Sequence, residues 1–176
     1  MMKKTTVAAA MLFALCANVN AEPNHGSGTV NFVGAIIDAP CSIAPESVDQ
    51  TVNMGQIANA TLETYGESTP QKFNIKLEGC ALETVKSVDV TFTGAADNVA
   101  GDQLKLDGLA KGAAIQMMNA KSGETIKLGT ATKFDGLVDG SNSLDFSAKL
   151  VKTAADADGI VPGDFTATTT FVLAYK

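Results

Sequence analysis

Three cysteines, one histidine and a scatter of carboxylates are the side chains of this 176-residue sequence from which nucleophilic, metal or acid–base chemistry could be built. A hydrolytic triad needs a positioned base beside its nucleophile. The one histidine, His25, lies in a Pro-, Asn-, Gly- and Ser-rich stretch, 22–28, that can bury little surface and supplies no such base. Asp156, Asp158 and Asp164 fall in a glycine-containing segment but lack the twelve-residue pattern of a calcium loop, so they read as solvated carboxylates. Paired-carboxylate glycosidase chemistry is allowed by count alone, and the absence of tryptophan with two tyrosines argues against a sugar-stacking cleft. Asn59-Ala60-Thr61 matches a glycosylation sequon by composition and is assigned no function. No catalytic residue, metal site or cofactor is assigned, and the chain is not read as an enzyme.

The first residues set the compartment. Lys3 and Lys4 precede an apolar run from Val7 to Ala17 and a small-residue pattern at Val19-Asn20-Ala21, the layout of a cleaved secretory signal over residues 1–21. The run is too short for a transmembrane helix, which needs about 20 apolar residues. Cys16 could alternatively be a lipidation site, but bulky Phe13 and Leu15 flank it. Cleavage leaves 155 residues, one domain of ordinary size. Cys16 leaves with the leader, so Cys41 and Cys80 remain as a pair in a chain bound for an oxidising compartment, where they are expected to form a disulfide. A two-cysteine metal site is the weaker reading.

Charge excludes further classes. Without the leader the chain keeps eleven lysines against 19 acidic residues, a net charge of about −8, and there is no arginine anywhere. Nucleic acid and anionic membranes both demand clustered basic residues, so neither is a partner. The acidic surface serves solubility.

The positioning elements are strands. Residues of one parity alternate at Val30, Phe32, Gly34 and Ile36; at Val48, Gln50, Val52 and Met54; at Phe73, Ile75 and Leu77; and at Val88, Val90 and Phe92. Ala114 to Met118 follow, then Leu144, Phe146, Ala148 and Leu150, and last Phe165 to Tyr175. Period two means half-buried strands. Turn-formers separate them at Glu78-Gly79, Asp107-Gly108, Lys121-Ser122-Gly123, Asp139 to Asn142 and Asp158-Gly159. A brief helical turn fits near Ile57 to Leu62. Short strands at this spacing, with no sustained helical period, predict an all-β sandwich.

The two ends of the mature chain carry the most information. Thr29 to Ile37 and Phe165 to Tyr175 are both long alternating strands beside a terminus, a pattern suited to strand addition. Pattern alone leaves them as ordinary first and last strands of a closed sandwich. The balance shifts because the chain resembles the pilins of bacterial chaperone–usher fimbriae, particularly major shaft subunits of type 1-like and P-pilus-like fibres. The resemblance spans essentially the whole mature length. It rests on Val30, Phe32 and Gly34, on Asp38-Ala39-Pro40-Cys41-Ser42-Ile43, on Cys80, and on a C-terminal signature of Gly163, alternating apolar residues and penultimate Tyr175.

What the resemblance implies is an incomplete immunoglobulin-like sandwich of six strands, residues 38–176, lacking the seventh strand and preceded by a donor extension, residues 22–37. Val30, Phe32, Gly34 and Ile36 would enter a neighbour's groove. Gly163, Phe165, Phe171, Leu173, Tyr175 and Lys176 would form the acceptor groove and the surface bound by a periplasmic chaperone, which in this family holds the terminal carboxylate. An outer-membrane usher would then pass the subunit into a homopolymer of neighbouring pilin subunits on the bacterial surface, supporting adhesion. Apart from the resemblance, glycine inside a strand marks a close backbone approach or a shallow pocket, which gives Gly34 a role. A minor or adaptor pilin shares every one of these motifs, and a self-contained secreted β-sandwich binding domain is the alternative from another class.

Overall fold

The structure, a computed structural model, describes residues 26–98, 100–154 and 159–176. The signal segment, Cys16, His25, Asp156 and Asp158 lie outside the described residues. The chain divides into two units at Ile36/Ile37. In the described part of the first unit, residues 26–36 form no helix or strand. The alternation there is intact, but Val30, Phe32 and Ile36 are exposed, Phe32 at 91% and Ile36 at 104%. The half-buried strand expected from their period is therefore absent within a single chain. A strand needs a ladder partner, and among the described residues no strand pairs with residues 27–36.

The second unit is a β sandwich. Its first elements are β1 (Ser42–Ile43), α1 (Pro45–Val48) and α2 (Asn59–Tyr65), followed by β2 (Gln71–Cys80), β3 (Ser87–Gly94), β4 (Asp107–Gly108) and β5 (Ala113–Asn119). Then come β6 (Ala131–Asp135), β7 (Gly140–Lys152), β8 (Phe165–Thr166) and β9 (Thr169–Tyr175). Among the described residues six strands are five residues or longer. One sheet runs β1-β2-β7-β5 and the other β6-β3-β9, with β4 and β8 as a separate pair, and every pairing is antiparallel.

The core lies between the sheets where the period-two pattern put it. Ile75 and Leu77 of β2, Val88 and Val90 of β3 and Phe146 of β7 are completely buried. Aromatic rings bridge the layers: Phe146 stacks on Phe73 at 5.2 Å and meets Phe92 edge-on at 5.1 Å, and Phe92 lies 6.2 Å from Phe171. Each such side chain stabilises by about 1.5–3 kcal/mol through burial.

Glu78-Gly79 is a bulge inside β2 where the sequence pattern indicated a turn. Leu77 pairs with Asn142 but Cys80 with Gly140, so β2 carries one extra residue at Gly79, whose φ is +59°. The reason is geometric. Leu77 and Cys80 are three apart and both buried, so strict alternation would turn one of them outward, and the extra residue restores the inward direction. Cys80 thereby reaches Cys41 in a disulfide that bridges 39 positions. A loop of that length is worth roughly 4 kcal/mol in the chain-entropy model.

Three other expectations are corrected, and one is extended. Val48 to Met54 form no strand, because Pro45 opens a helical turn at the first-turn position that suits proline, and the segment that follows meets β2 through the Gln50 side-chain amide, which donates to the Asn74 carbonyl oxygen, rather than through a strand ladder. The expected orientation holds only at Val52 and Met54, half-buried between exposed Thr51 and Asn53, whereas Val48 and Gln50 of the same set are exposed. The helical turn near Ile57 to Leu62 is a seven-residue helix, Asn59–Tyr65, that buries Leu62. Asp107-Gly108 is a short strand paired with Phe165 and Thr166 rather than a turn. The last strand is broken at Ala167–Thr168 into β8, which pairs with β4, and β9, which pairs with β3.

Candidate functional site

β9 is the edge of its sheet, and its ladder to β3 fixes where each group points. Ser87 and Lys176 exchange both main-chain hydrogen bonds: the Ser87 N–H donates to the Lys176 oxygen at 3.0 Å and the Lys176 N–H to the Ser87 oxygen at 2.9 Å. Such pairs recur at every second residue of an antiparallel ladder. Ala174, Val172 and Thr170 therefore face Asp89, Thr91 and Thr93 of β3, while Phe171, Leu173 and Tyr175 turn their N–H and C=O groups away from the sheet. Among the described residues no strand pairs with β9 on that side. The result is an open row of alternating donors and acceptors.

The side chains of the same residues point into the sandwich. Phe165, Ala167, Thr169, Phe171, Leu173 and Tyr175 are all half-buried, and the residues between them are exposed. Their neighbours on β3, Val88 and Val90, are 0% exposed. The inward face of β9 is thus half covered, with apolar area left for another strand to remove from water.

A cleft of about 1220 Å³ opens along this edge. Phe165, Ala167, Thr169 and Phe171 form one wall, Val52, Met54 and Ile57 the other, and Phe73, Ile75, Phe92 and Ile115 the floor. A cleft with this lining is suited to holding an extended apolar segment. Among the described residues no three His, Cys, Asp or Glu side chains gather as metal ligands would.

The opposite edge of the same sheet is built differently. On β6 the main-chain groups of Lys133 and Asp135 face outward, since Phe134 and Thr132 take the pairing positions on Val88 and Val90. This strand is five residues long, and Lys133 and Asp135 form an ion pair at 2.7 Å. The carboxylate of Asp135, by hydrogen bond and charge, raises the pKa of the Lys133 ammonium. Short, charged edges discourage strand addition. β9, by contrast, carries no charge from Thr169 to Tyr175.

Burial pushes the Tyr175 phenol pKa up, and its hydroxyl has no hydrogen-bond partner among the described residues. At the strand end, the Lys176 ammonium pairs with Asp89.

Gly163, Phe165 and Phe171, all singled out from sequence, line the cleft, whereas Leu173, Tyr175 and Lys176 continue along β9 beyond its end. Gly163 is required by a close approach: a Cβ there would sit 2.7 Å from the Leu109 Cβ and 2.9 Å from the Ala110 nitrogen. Sequence reasoning missed the far wall of Val52, Met54 and Ile57 and the contributions of Leu104, Leu106 and Ile160. The alternation at Val52 and Met54 was visible, but it does not say which edge a segment borders.

The family model described as fimbrial protein matches residues 30–176. The chain belongs to the fimbrial protein family. It is 48% identical over 175 residues to the Fimbria A protein of Serratia marcescens, covering 99% of each chain. It is 49% identical over 154 residues to the Major MR/P fimbria protein of Proteus mirabilis, covering 87% of this chain and 86% of that one. A solved chaperone–usher pilus structure concerned with rod uncoiling superposes with a TM-score of 0.76 at 31% identity, covering 86% of this chain and 97% of that one. This pilin is therefore a structural fimbrial subunit of the chaperone–usher, major-subunit type, and its sandwich is the incomplete immunoglobulin-like fold.

Proposed function

We propose that the pilin polymerises by donor-strand exchange: residues 22–37 of one subunit enter the β9 cleft of the next, with Val30, Phe32 and Ile36 facing the core and Gly34 at a shallow position. The observation that carries this reading is the asymmetry of the two edges of one sheet, β6 short and charged, β9 neutral and half covered. Residues 26–37 are uncharged and alternate in the period that an added strand requires. Burying three large donor side chains contributes about 1.5–3 kcal/mol each, and the outward groups of Phe171, Leu173 and Tyr175 supply the ladder. One donor and one acceptor on each copy make a head-to-tail contact that never closes, hence a filament.

An open apolar cleft is an aggregation hazard before assembly. Family membership supports a periplasmic chaperone that occupies the β9 edge and an outer-membrane usher that exchanges it for the next subunit, delivering the fibre to the cell surface, where it supports adhesion. Residues 1–21 act in this scheme as the export signal, and residues 38–176 as the acceptor domain.

Amide hydrogen exchange on purified fibres tests the pairing. Phe171, Leu173 and Tyr175 should be as protected in the fibre as Val172 and Ala174. Rapid exchange confined to the three outward amides would contradict the proposal.

A further inference from the structure

Between β1 and the far wall of the cleft the chain leaves the edge of β2, and two side chains take over the bonds that the main chain gives up. Ser42 and Ile43 pair with Glu78 and Leu77 of β2, and the Ala44 N–H donates to the Lys76 oxygen at 3.0 Å. A continuing antiparallel ladder would next send the Lys76 N–H to the Ala44 oxygen and the Glu46 N–H to the Asn74 oxygen. Both bonds are replaced. The Ala44 oxygen accepts from the Ser47 N–H at 2.8 Å, closing the helical turn in which Pro45 sits. That turn carries the Ser47 hydroxyl to the Lys76 N–H, which donates to it at 3.0 Å, and Ser47 is 1% exposed. Three residues on, the Gln50 side-chain amide donates to the Asn74 oxygen at 3.1 Å. From Thr51 the main chain departs from β2, and Val52, Met54 and Ile57 line the cleft. Within this stretch the Gly55 N–H donates to Asn53 Oδ1 at 2.8 Å, with a φ of +71° at Gly55, so the segment turns on itself rather than on β2.

We propose that Ser47 and Gln50 are the positioning residues of the acceptor cleft. Their side chains complete the β2 edge in place of a longer β1, so residues 51–57 leave β2 and form the wall opposite β9. A main-chain strand over residues 44–50 would fill the same edge and draw that wall along β2, away from the cleft. The two side chains also occupy the Lys76 N–H and the Asn74 oxygen, groups that a strand added to β2 would need, and so direct an incoming strand to β9. The effect on the donor rests on the strand-exchange reading above, whereas the placing of the wall does not.

The mature chain is complexed with a fluorescent synthetic peptide of residues 26–37, and release is followed by anisotropy after unlabelled peptide is added in excess. Oxidation of Met54 by dilute hydrogen peroxide, read by mass spectrometry on the same samples, reports the position of the wall. Gln50→Glu sets a carboxylate against the Asn74 oxygen in place of a donor, and Ser47→Ala removes the acceptor of the Lys76 N–H. Each should release the peptide about tenfold faster than the unaltered chain, the effect of one lost hydrogen bond, and should oxidise faster at Met54. Gln50→Lys keeps a donor, and Asn119→Ala loses the bonds from the Lys121 and Ser122 N–H groups in the turn after β5. Both should match the unaltered chain in release and oxidation, Asn119→Ala at a lowered melting temperature. If Ser47→Ala does not fold, Gln50→Glu, at an exposed position, carries the comparison. Release and oxidation that simply follow the melting temperature across the variants, or that no variant changes, overturn the positioning role. A peptide that does not bind the unaltered chain overturns the acceptor reading instead, and Met54 oxidation then decides the placing of the wall by itself.

Discussion

At Gly163 the space for a side chain is already taken by Leu109 and Ala110, so alanine there must push the segment before β8 off the β4–β5 loop. Gly163→Ala should cost about 1–3 kcal/mol, as overpacking does elsewhere, read as a fall in the denaturant midpoint of the peptide-complemented subunit. Tyr175 behaves in the opposite sense. Its hydroxyl is buried without a partner among the described residues, so Tyr175→Phe should be neutral or stabilising by up to about 1 kcal/mol. The pH dependence follows from the direction of its shift. Burial raises the folded pKa, so the stability is fully present below the unfolded value of about 10 and is lost as pH rises through the folded value. Melting from pH 8 to 11 should show the unaltered chain losing stability relative to Tyr175→Phe, and parallel curves would contradict the assignment. Sequence made both residues visible through their resemblance to a family signature, but it could not supply the reason. The crowding at Gly163 comes from a loop more than fifty positions away in the chain, and the isolation of the Tyr175 hydroxyl depends on everything packed around it.

Among the elements, strands with a clean alternation and a covered partner were legible, β2, β3, β7 and the β9 half of the last strand, and β5 was legible as a short apolar stretch. β6 was not, because Ala131-Thr132-Lys133-Phe134-Asp135 presents only Thr132 and Phe134 inward, too few apolar positions to declare a period. Glu78-Gly79 resembled a turn because a bulge and a turn both use a left-handed glycine, and only the pairing of Leu77 and Cys80 distinguishes them. The pattern alone showed the open edge as an unusual strand beside a terminus, and the family resemblance made it one side of a groove; the other wall was not legible, because it has no ladder of its own. The protection of β6 provides a prediction at this scale. Replacing Lys133 and Asp135 together by valine removes the charges from the second edge of the sheet, and peptide-complemented subunits should then associate sideways, detected as a concentration-dependent rise in light scattering. Unchanged scattering would mean that charge does not protect this edge.

At the scale of the whole molecule, the apolar segment of the first unit and the open edge of the sandwich are suited to complementary roles. Residues 26–36 expose the apolar side chains that an added strand would bury, and β9 leaves uncovered the edge that an added strand would pair. The family assignment makes the chain a fimbrial structural subunit; the proposed exchange of ends makes that subunit a polymer. The most direct measurement compares the mature chain, produced in a periplasm without a chaperone, with the same chain carrying a second copy of residues 22–37 on a flexible linker after Lys176, which keeps the Lys176 oxygen as an acceptor. Size-exclusion chromatography and thermal melting are read on both. The account predicts that only the extended chain is a stable, soluble monomer. A native-length chain that is already a stable monomer, unaffected by the extension, would contradict it.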